Sequence, residues 1–232
     1  MIDVHPAPHA AHSWREFLTH IATIVLGIII AIGLEQIVEL VHHHGERVRL
    51  EAALRNESLL NRRLVAFNTD SVAQVRRNIR LNMTNLDRDG KNFVPVPPPH
   101  DTFLPFINSA WITARKNDVA ELLPSEIAES YWKVNFMTDA TAAEISSLAD
   151  ARKKVNSLLY LHSSPSELTP EERSELLHAY SEEDQEIGNF NYILMGFNFM
   201  NEAALAGHPP TVEEMAAESR QAQQSEAHTA QR

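Results

Sequence analysis

Phe17-Leu18-Thr19-His20-Ile21-Ala22-Thr23-Ile24-Val25-Leu26-Gly27-Ile28-Ile29-Ile30-Ala31-Ile32-Gly33-Leu34 is the stretch on which the architecture turns. Its polar members are Thr19, His20 and Thr23, and from Ile24 to Leu34 there is none. A helix crossing a bilayer needs about 20 apolar residues. The stretch reaches that length with His20 and Glu35 near the two interfaces and Trp14 as an interfacial ring. A core helix of a soluble protein is the first alternative, but such a helix carries one apolar stripe, not apolar residues all round. A cleaved signal peptide is the second, because Ala31-Ile32-Gly33 has small residues at a suitable spacing. Against it, the preceding region is long and the helical pattern runs on past the cut through Ile37, Val38, Leu40 and Val41.

Outward from this segment the reading is helical. Residues 1–15 form an N-terminal tail, 16–41 the transmembrane helix and its juxtamembrane turn, and 42–90 a long stalk or bundle helix. In that helix Leu50, Leu54, Leu60, Leu64, Phe67, Val75, Ile79 and Leu86 recur at intervals that mix three, four and seven. Glu57 and Ser71 interrupt the seam, so a regular coiled coil is not expected. Asp89-Gly90 marks the stop. Residues 91–104 are a proline-rich connection, since Val94-Pro95-Val96-Pro97-Pro98-Pro99 cannot donate successive backbone hydrogen bonds; it reads as a stiff linker, with a polyproline ligand as the alternative.

Residues 105–207 should build the helical bundle. A helix is expected from Pro105 to Leu122 with a weak point at Asn117-Asp118, and another from Pro124 to about Leu161. The second has apolar positions Ile127, Tyr131, Val134, Met137 or Thr138, Thr141, Ile145, Leu148, Val155 and Leu158. Thr169-Pro170-Glu171-Glu172 is the clearest helix start in the chain. Its helix runs to about Ala206, where Gly207 and Pro209-Pro210 end it. Residues 208–232 hold a short helix capped at Thr211 and a polar tail. No strand pattern of useful length appears. The expected fold is all-α: an N-terminal transmembrane helix continuous with a long stalk helix, then an antiparallel bundle of three or four helices.

Charge is unevenly placed. Residues 1–116 carry a net +2 and residues 117–232 a net −13, which together make the chain's −11. The acidic distal half disfavours nucleic acid as a partner. From Arg47 to Arg80 there are eight arginines against three acids. That stretch reads as a solvated helix face, with anionic headgroups as the alternative contact. The chain contains no cysteine, which removes disulfides and thiolate chemistry.

Site chemistry is sparse. Glu39, His42, His43 and Glu46 share one stretch of helix at spacings of three and four, and their side chains suit divalent metals. A polar interfacial collar, or one sensitive to pH, is the competing reading. Glu182-Glu183-Asp184 with Glu186 lacks the alternating oxygens and central glycine of a calcium loop and reads as a solvated face. The sequons Asn56-Glu57-Ser58 and Asn82-Met83-Thr84 fall inside a predicted helix. No nucleophile elbow, zinc-binding His-Glu-x-x-His or phosphate-binding glycine loop is present, so no cofactor and no catalytic residue is assigned.

Two segments together resemble a broad group of uncharacterised bacterial single-pass membrane proteins. The first is the anchor from Phe17 to Glu39, with Ile24-Val25-Leu26-Gly27-Ile28, Ala31 and Leu34-Glu35-Gln36. The second is Ser109-Ala110-Trp111-Ile112-Thr113-Ala114 followed by Leu122-Leu123-Pro124 and Tyr131. The resemblance covers roughly the first 135 residues. It implies the inner membrane as location and a bulk domain outside the cytoplasm, while the charges flanking the anchor, Arg15 on one side and Arg47, Arg49 and Arg55 on the other, leave the side undetermined; Trp111 reads as a large core anchor for the short helix. The chain departs from the group in having only Arg15 before the anchor, where relatives often carry several basic residues. The expected role is a membrane-anchored helical interaction or scaffold module without enzymatic activity. Its expected partners are the bilayer and a protein partner or second copy. The alternatives are a sensor whose bundle binds a small ligand and, less favoured, a metal-binding membrane protein.

Overall fold

The computed structural model describes residues 14–97, 103–217 and 220. The N-terminal tail up to residue 13, the centre of the proline-rich connection and the polar tail beyond residue 220 lie outside the described residues. Among those described there is no strand. Four helices carry the fold: α1 (Trp14–Asp89), α2 (Ser109–Lys116), α3 (Ser125–Leu159) and α4 (Pro170–Ala206). Residues 212–217 add a last helical turn. The all-α expectation is met. The chain divides into two compact units, residues 1–48 and 49–232.

The first unit is the proximal part of α1. It holds one segment long and apolar enough to cross a membrane, with a mean hydropathy of 2.4 over 18 residues, none of them buried. Its few polar side chains turn back on their own helix. Thr19 and Thr23 donate to the carbonyls of Arg15 and Thr19, each at 2.8 Å, and the His20 ring lies 2.9 Å from the Glu16 carbonyl.

The second unit is a bundle whose three long helices each bury a seam at alternating steps of three and four. In α1 the seam is Leu54, Ser58, Asn61, Val65, Asn68, Val72, Val75, Ile79, Asn82 and Leu86. In α4 it runs from Leu176 through Tyr180, Glu183, Ile187, Phe190, Leu194, Phe197 and Asn201 to Ala204. In α3 Val134, Thr141, Leu148 and Val155 repeat every seven residues. This is the periodicity of helices packed at a shallow angle. The expected core of α1 therefore needs correcting: Leu60 (45% exposed) and Phe67 (44%) lie on the outside, and Asn61 and Asn68 are inside. Apolar character misleads here because the seam of this helix is partly amide.

Those asparagines explain how the chain returns. After Gly90, which turns the backbone at φ 53°, the two described stretches of the connection, residues 93–97 and 103–107, lie against α1 as an extended strap running back along it. Asn61 donates to the carbonyl of Ile107 and accepts its N–H, both at 2.8 Å. Asn68 does the same for Leu104 at 2.9 Å. Asn82 brackets Val96 at 3.0 and 2.7 Å, and Asn78 holds the Pro97 carbonyl at 3.0 Å. A carboxamide has one donor face and one acceptor face, so it pairs with a peptide unit as a neighbouring strand would. Between the Asn61 and Asn68 pairs the spacing is commensurate: seven helical residues rise about 10.5 Å, and three extended residues span about 10 Å. The strap's rings use the same step on α4, where Phe103 meets Phe190 edge-on at 4.9 Å and Phe106 stacks on Phe197 at 3.8 Å.

The helix expected from Pro105 consequently begins only at Ser109, because residues 104–107 are held extended by Asn61 and Asn68. Glu57, which seemed to break the seam, accepts hydrogen bonds from the Ser109 hydroxyl and, at 2.8 Å, from the Ala110 N–H, so it caps α2 from another helix. Trp111 and Ala114 on α2 are buried. The weak point at Asn117-Asp118 is real, with Asp118 at φ 58°. At the start of α4, Thr169 and Glu172 form a reciprocal capping box, and Gly207 ends the helix at φ 86°.

Pairings fix the topology. α3 and α4 run antiparallel, with Lys154 on Glu182 and His162 on Glu172. α1 and α4 are also antiparallel, with Arg62 on Glu202 and Arg76 on Asp184. α1 and α3 are therefore parallel, which the strap permits by carrying the chain back before α3 begins.

Replacing Asn68 by Leu makes a heptad position apolar but orphans the N–H and C=O of Leu104. We expect Asn68→Leu and Asn68→Ala each to lose about 1–3 kcal/mol in denaturant unfolding. A gain in stability for the leucine variant would show that the amide pairing is not what holds the strap.

Candidate functional site

The proposed metal ligands do not converge. His42 pairs with Glu46 at 3.2 Å, and His43 with Glu39 at 4.0 Å, as two separate contacts one turn apart. Among the described residues no group of three histidines or acids is placed to hold a metal ion. In both pairs the members are four residues apart, which brings two side chains together on one helix but not a third.

The basic stretch and the acidic run turn out to face each other. Arg62, Arg76 and Arg80 of α1 pair with Glu202 and Asp184 of α4, and Arg55 donates to the Leu205 carbonyl. The acidic run is not one solvated face. Glu182 pairs with Lys154 and His178, Glu183 with Arg152, Asp184 with Arg76 and Arg80, and Glu186 meets Glu144. Burial, and then the hydrogen bond shared with Glu186, raise the Glu144 carboxyl above its ordinary value. Asn82 of the second sequon is buried and committed to the strap.

The end of the bundle where α3 turns into α4 gathers a set of buried polar groups. Glu183 is 2% exposed and accepts a charge-assisted hydrogen bond from the Arg152 guanidinium. One α4 turn away sits Tyr180, at 3% exposure. Burial, and then the neighbouring Glu183 carboxylate, push its phenol well above the ordinary tyrosine range, so it stays protonated. A cleft of about 370 Å3 opens beside these groups. Ile79 of α1, Pro97 of the strap, and Val155, Asn156 and Tyr160 at the end of α3 contribute to its wall. A second hollow of similar volume shares Arg152, Asn156 and Glu183. Capture of a ligand by shape, apolar contact and a few fixed hydrogen bonds is what such an arrangement can do.

No protein-family model, curated protein or solved structure matches the chain. The site therefore rests on its own geometry.

Sequence reasoning missed Arg152 and Tyr180 and read Glu183, which is buried, as part of a solvated face. A signal existed. Glu183 falls on the α4 seam between Tyr180 and Ile187, and Arg152 falls between Leu148 and Val155 on the α3 seam. Opposite charges on the facing seams of adjacent helices predict a buried ion pair.

Removing one partner strands the other's charge. Arg152→Met should cost about 3–5 kcal/mol, and the double variant Arg152→Met/Glu183→Leu should recover most of it. Urea unfolding of the three chains measures this; equal loss in single and double variants would contradict the pairing. Tyr180 gives a pH signature. Its folded pKa is raised, so its contribution is complete below the unfolded value of about 10 and is lost as pH rises beyond it. Stability should therefore fall with pH above about 10, and fall less steeply in Tyr180→Phe; Tyr131, also raised by burial, keeps a residual slope. Identical slopes in the two chains would contradict this assignment.

Proposed function

We propose that the protein is a single-pass, membrane-anchored helical module that presents its bundle to a protein partner and has no catalytic activity of its own. The observation that carries this reading is the exposure of the apolar segment. From Trp14 to His42 every residue but Gly33 is exposed, although most are large hydrophobics. An apolar surface of that extent is not left facing water by a soluble chain. Hydrocarbon suits it, and the back-bonded Thr19, Thr23 and His20 spare the bilayer core their unsatisfied donors. The same α1 supplies the first long helix of the bundle, which favours a retained anchor over a cleaved signal sequence. The resemblance to bacterial single-pass proteins supports the inner membrane, with the bundle outside the cytoplasm.

A protein partner is supported by the outer face of α3. Trp132 and Phe136 stack with ring centroids 6.1 Å apart, yet are 50% and 60% exposed. Exposed aromatic pairs of this kind are characteristic of interface centres.

Three measurements test the reading. The full chain should stay with membranes through alkaline carbonate, and its intact mass should include the N-terminal segment. Release into the supernatant, or a mass that lacks residues 1–33, would overturn the anchor. A C-terminal periplasm-active phosphatase fusion should be active and a cytoplasm-active fluorescent fusion dark; the reverse would place the bundle inside. A photo-crosslinking residue at Phe136 should yield a discrete adduct in native membranes, and recovery of the monomer alone would contradict partner presentation.

A further inference from the structure

The indole N–H of Trp111 is a buried donor with no hydrogen-bond partner among the described residues. The residue is 6% exposed, and its nitrogen is sealed from solvent outside the bundle. An N–H left unpaired in the interior is costly, and nearly all such groups in folded proteins are paired. Trp111 lines a small cavity whose wall also includes Glu57 and Ser58 of α1, Ile107 of the strap and Asn135 of α3. The centre of a water-sized sphere has about 10 Å3 there, which is room for one water molecule and too little for an organic ligand. We propose that this cavity is a binding site for a single ordered water, which accepts the Trp111 N–H and donates to oxygens of the wall.

The wall sets what the occupant must do. An indole nitrogen only donates, so the occupant must accept. The other polar groups of the wall have acceptor capacity to spare. Glu57 takes the Ser109 hydroxyl and the Ala110 N–H through one carboxylate oxygen, which leaves the second oxygen its lone pairs. The Asn135 carbonyl oxygen accepts from the Asn108 amide at 2.9 Å and keeps one lone pair. The occupant must therefore donate as well. An ammonium ion donates but cannot accept the indole N–H. A halide ion accepts but cannot donate, and it would meet the Glu57 carboxylate at close range in a desolvated space. Water does both, and buried waters typically make about three hydrogen bonds. Held there, the water joins Trp111 of α2 to α1 and α3 at the corner where Glu57 caps α2. The site is independent of the anchor, of the cleft beside Arg152 and of the exposed Trp132 face.

Crystals of the full chain grown in a lipid phase, at a resolution that shows ordered water, test the site directly. One isolated density peak should lie within about 3.2 Å of Trp111 Nε1 and of at least two wall oxygens. Trp111→Phe keeps a ring but removes the donor, and its crystals should lose that peak. An empty cavity, or Trp111 Nε1 bonded directly to a protein oxygen, would overturn the proposal. An anomalous peak at the same place after a bromide soak would make the occupant an anion and overturn the assignment to water. A solution measurement stands beside the crystals. The resonance Raman band that reports hydrogen bonding at the indole nitrogen is read in detergent micelles on the double variant Trp14→Phe/Trp132→Phe, which leaves Trp111 as the one tryptophan. The band should sit at its hydrogen-bonded position; the unbonded position would contradict the site.

Discussion

The bundle depends on a pairing between side-chain amides and backbone. Asn61, Asn68 and Asn82 occupy one position of the α1 heptad, at steps of seven and fourteen, and each brackets a peptide unit of the returning chain. An extended segment packed on a helix has a difficulty that a helix does not: its own N–H and C=O groups have no internal partner. Buried without one, they would cost more than the apolar contacts return. The carboxamides remove that cost. Between Asn61 and Asn68 the register holds because two turns of helix and three extended residues cover nearly the same distance.

From that constraint the rest of the arrangement follows. The strap brings the chain back along α1, so α3 starts beside the proximal part of the bundle and runs parallel to α1. α4 then closes the bundle antiparallel to both. Phe103 and Phe106, held at the strap's spacing, reach Phe190 and Phe197, so a strap of extended chain contributes to the core much as a helix would. Charge follows the same topology. The basic α1 and acidic α4 lie side by side, and the net −13 of the distal half is partly compensated within the fold by α1 arginines.

The same strap shapes the candidate ligand site. Val96 and Pro97, fixed by Asn82 and Asn78, form part of the cleft wall facing α3 and α4. The Arg152–Glu183 pair sits where two helix seams would ordinarily be apolar, and such pairs contribute specificity of packing more readily than stability.

Much of the architecture was legible in the chain itself. The apolar run from Ile24 to Leu34, the stop at Asp89-Gly90, the weak point at Asn117-Asp118 and the Thr169-Glu172 start are local signals, decided by hydropathy, backbone freedom and capping within a few residues. The α3 seam was legible for the same reason, since its buried positions from Tyr131 to Val155 follow the periodicity read from the chain. The α1 seam was not. There Leu60 and Phe67 point outward and Asn61 and Asn68 inward, because an amide at a core position is favourable only when a peptide unit forty residues away comes to meet it. Likewise Glu57 became a helix cap, the acidic run became four separate contacts, and Tyr180 came to rest beside Glu183 and Arg152. Each of these roles is a relation between distant segments. Hydropathy and local propensity describe a residue and its near neighbours, so only the tertiary structure could decide them.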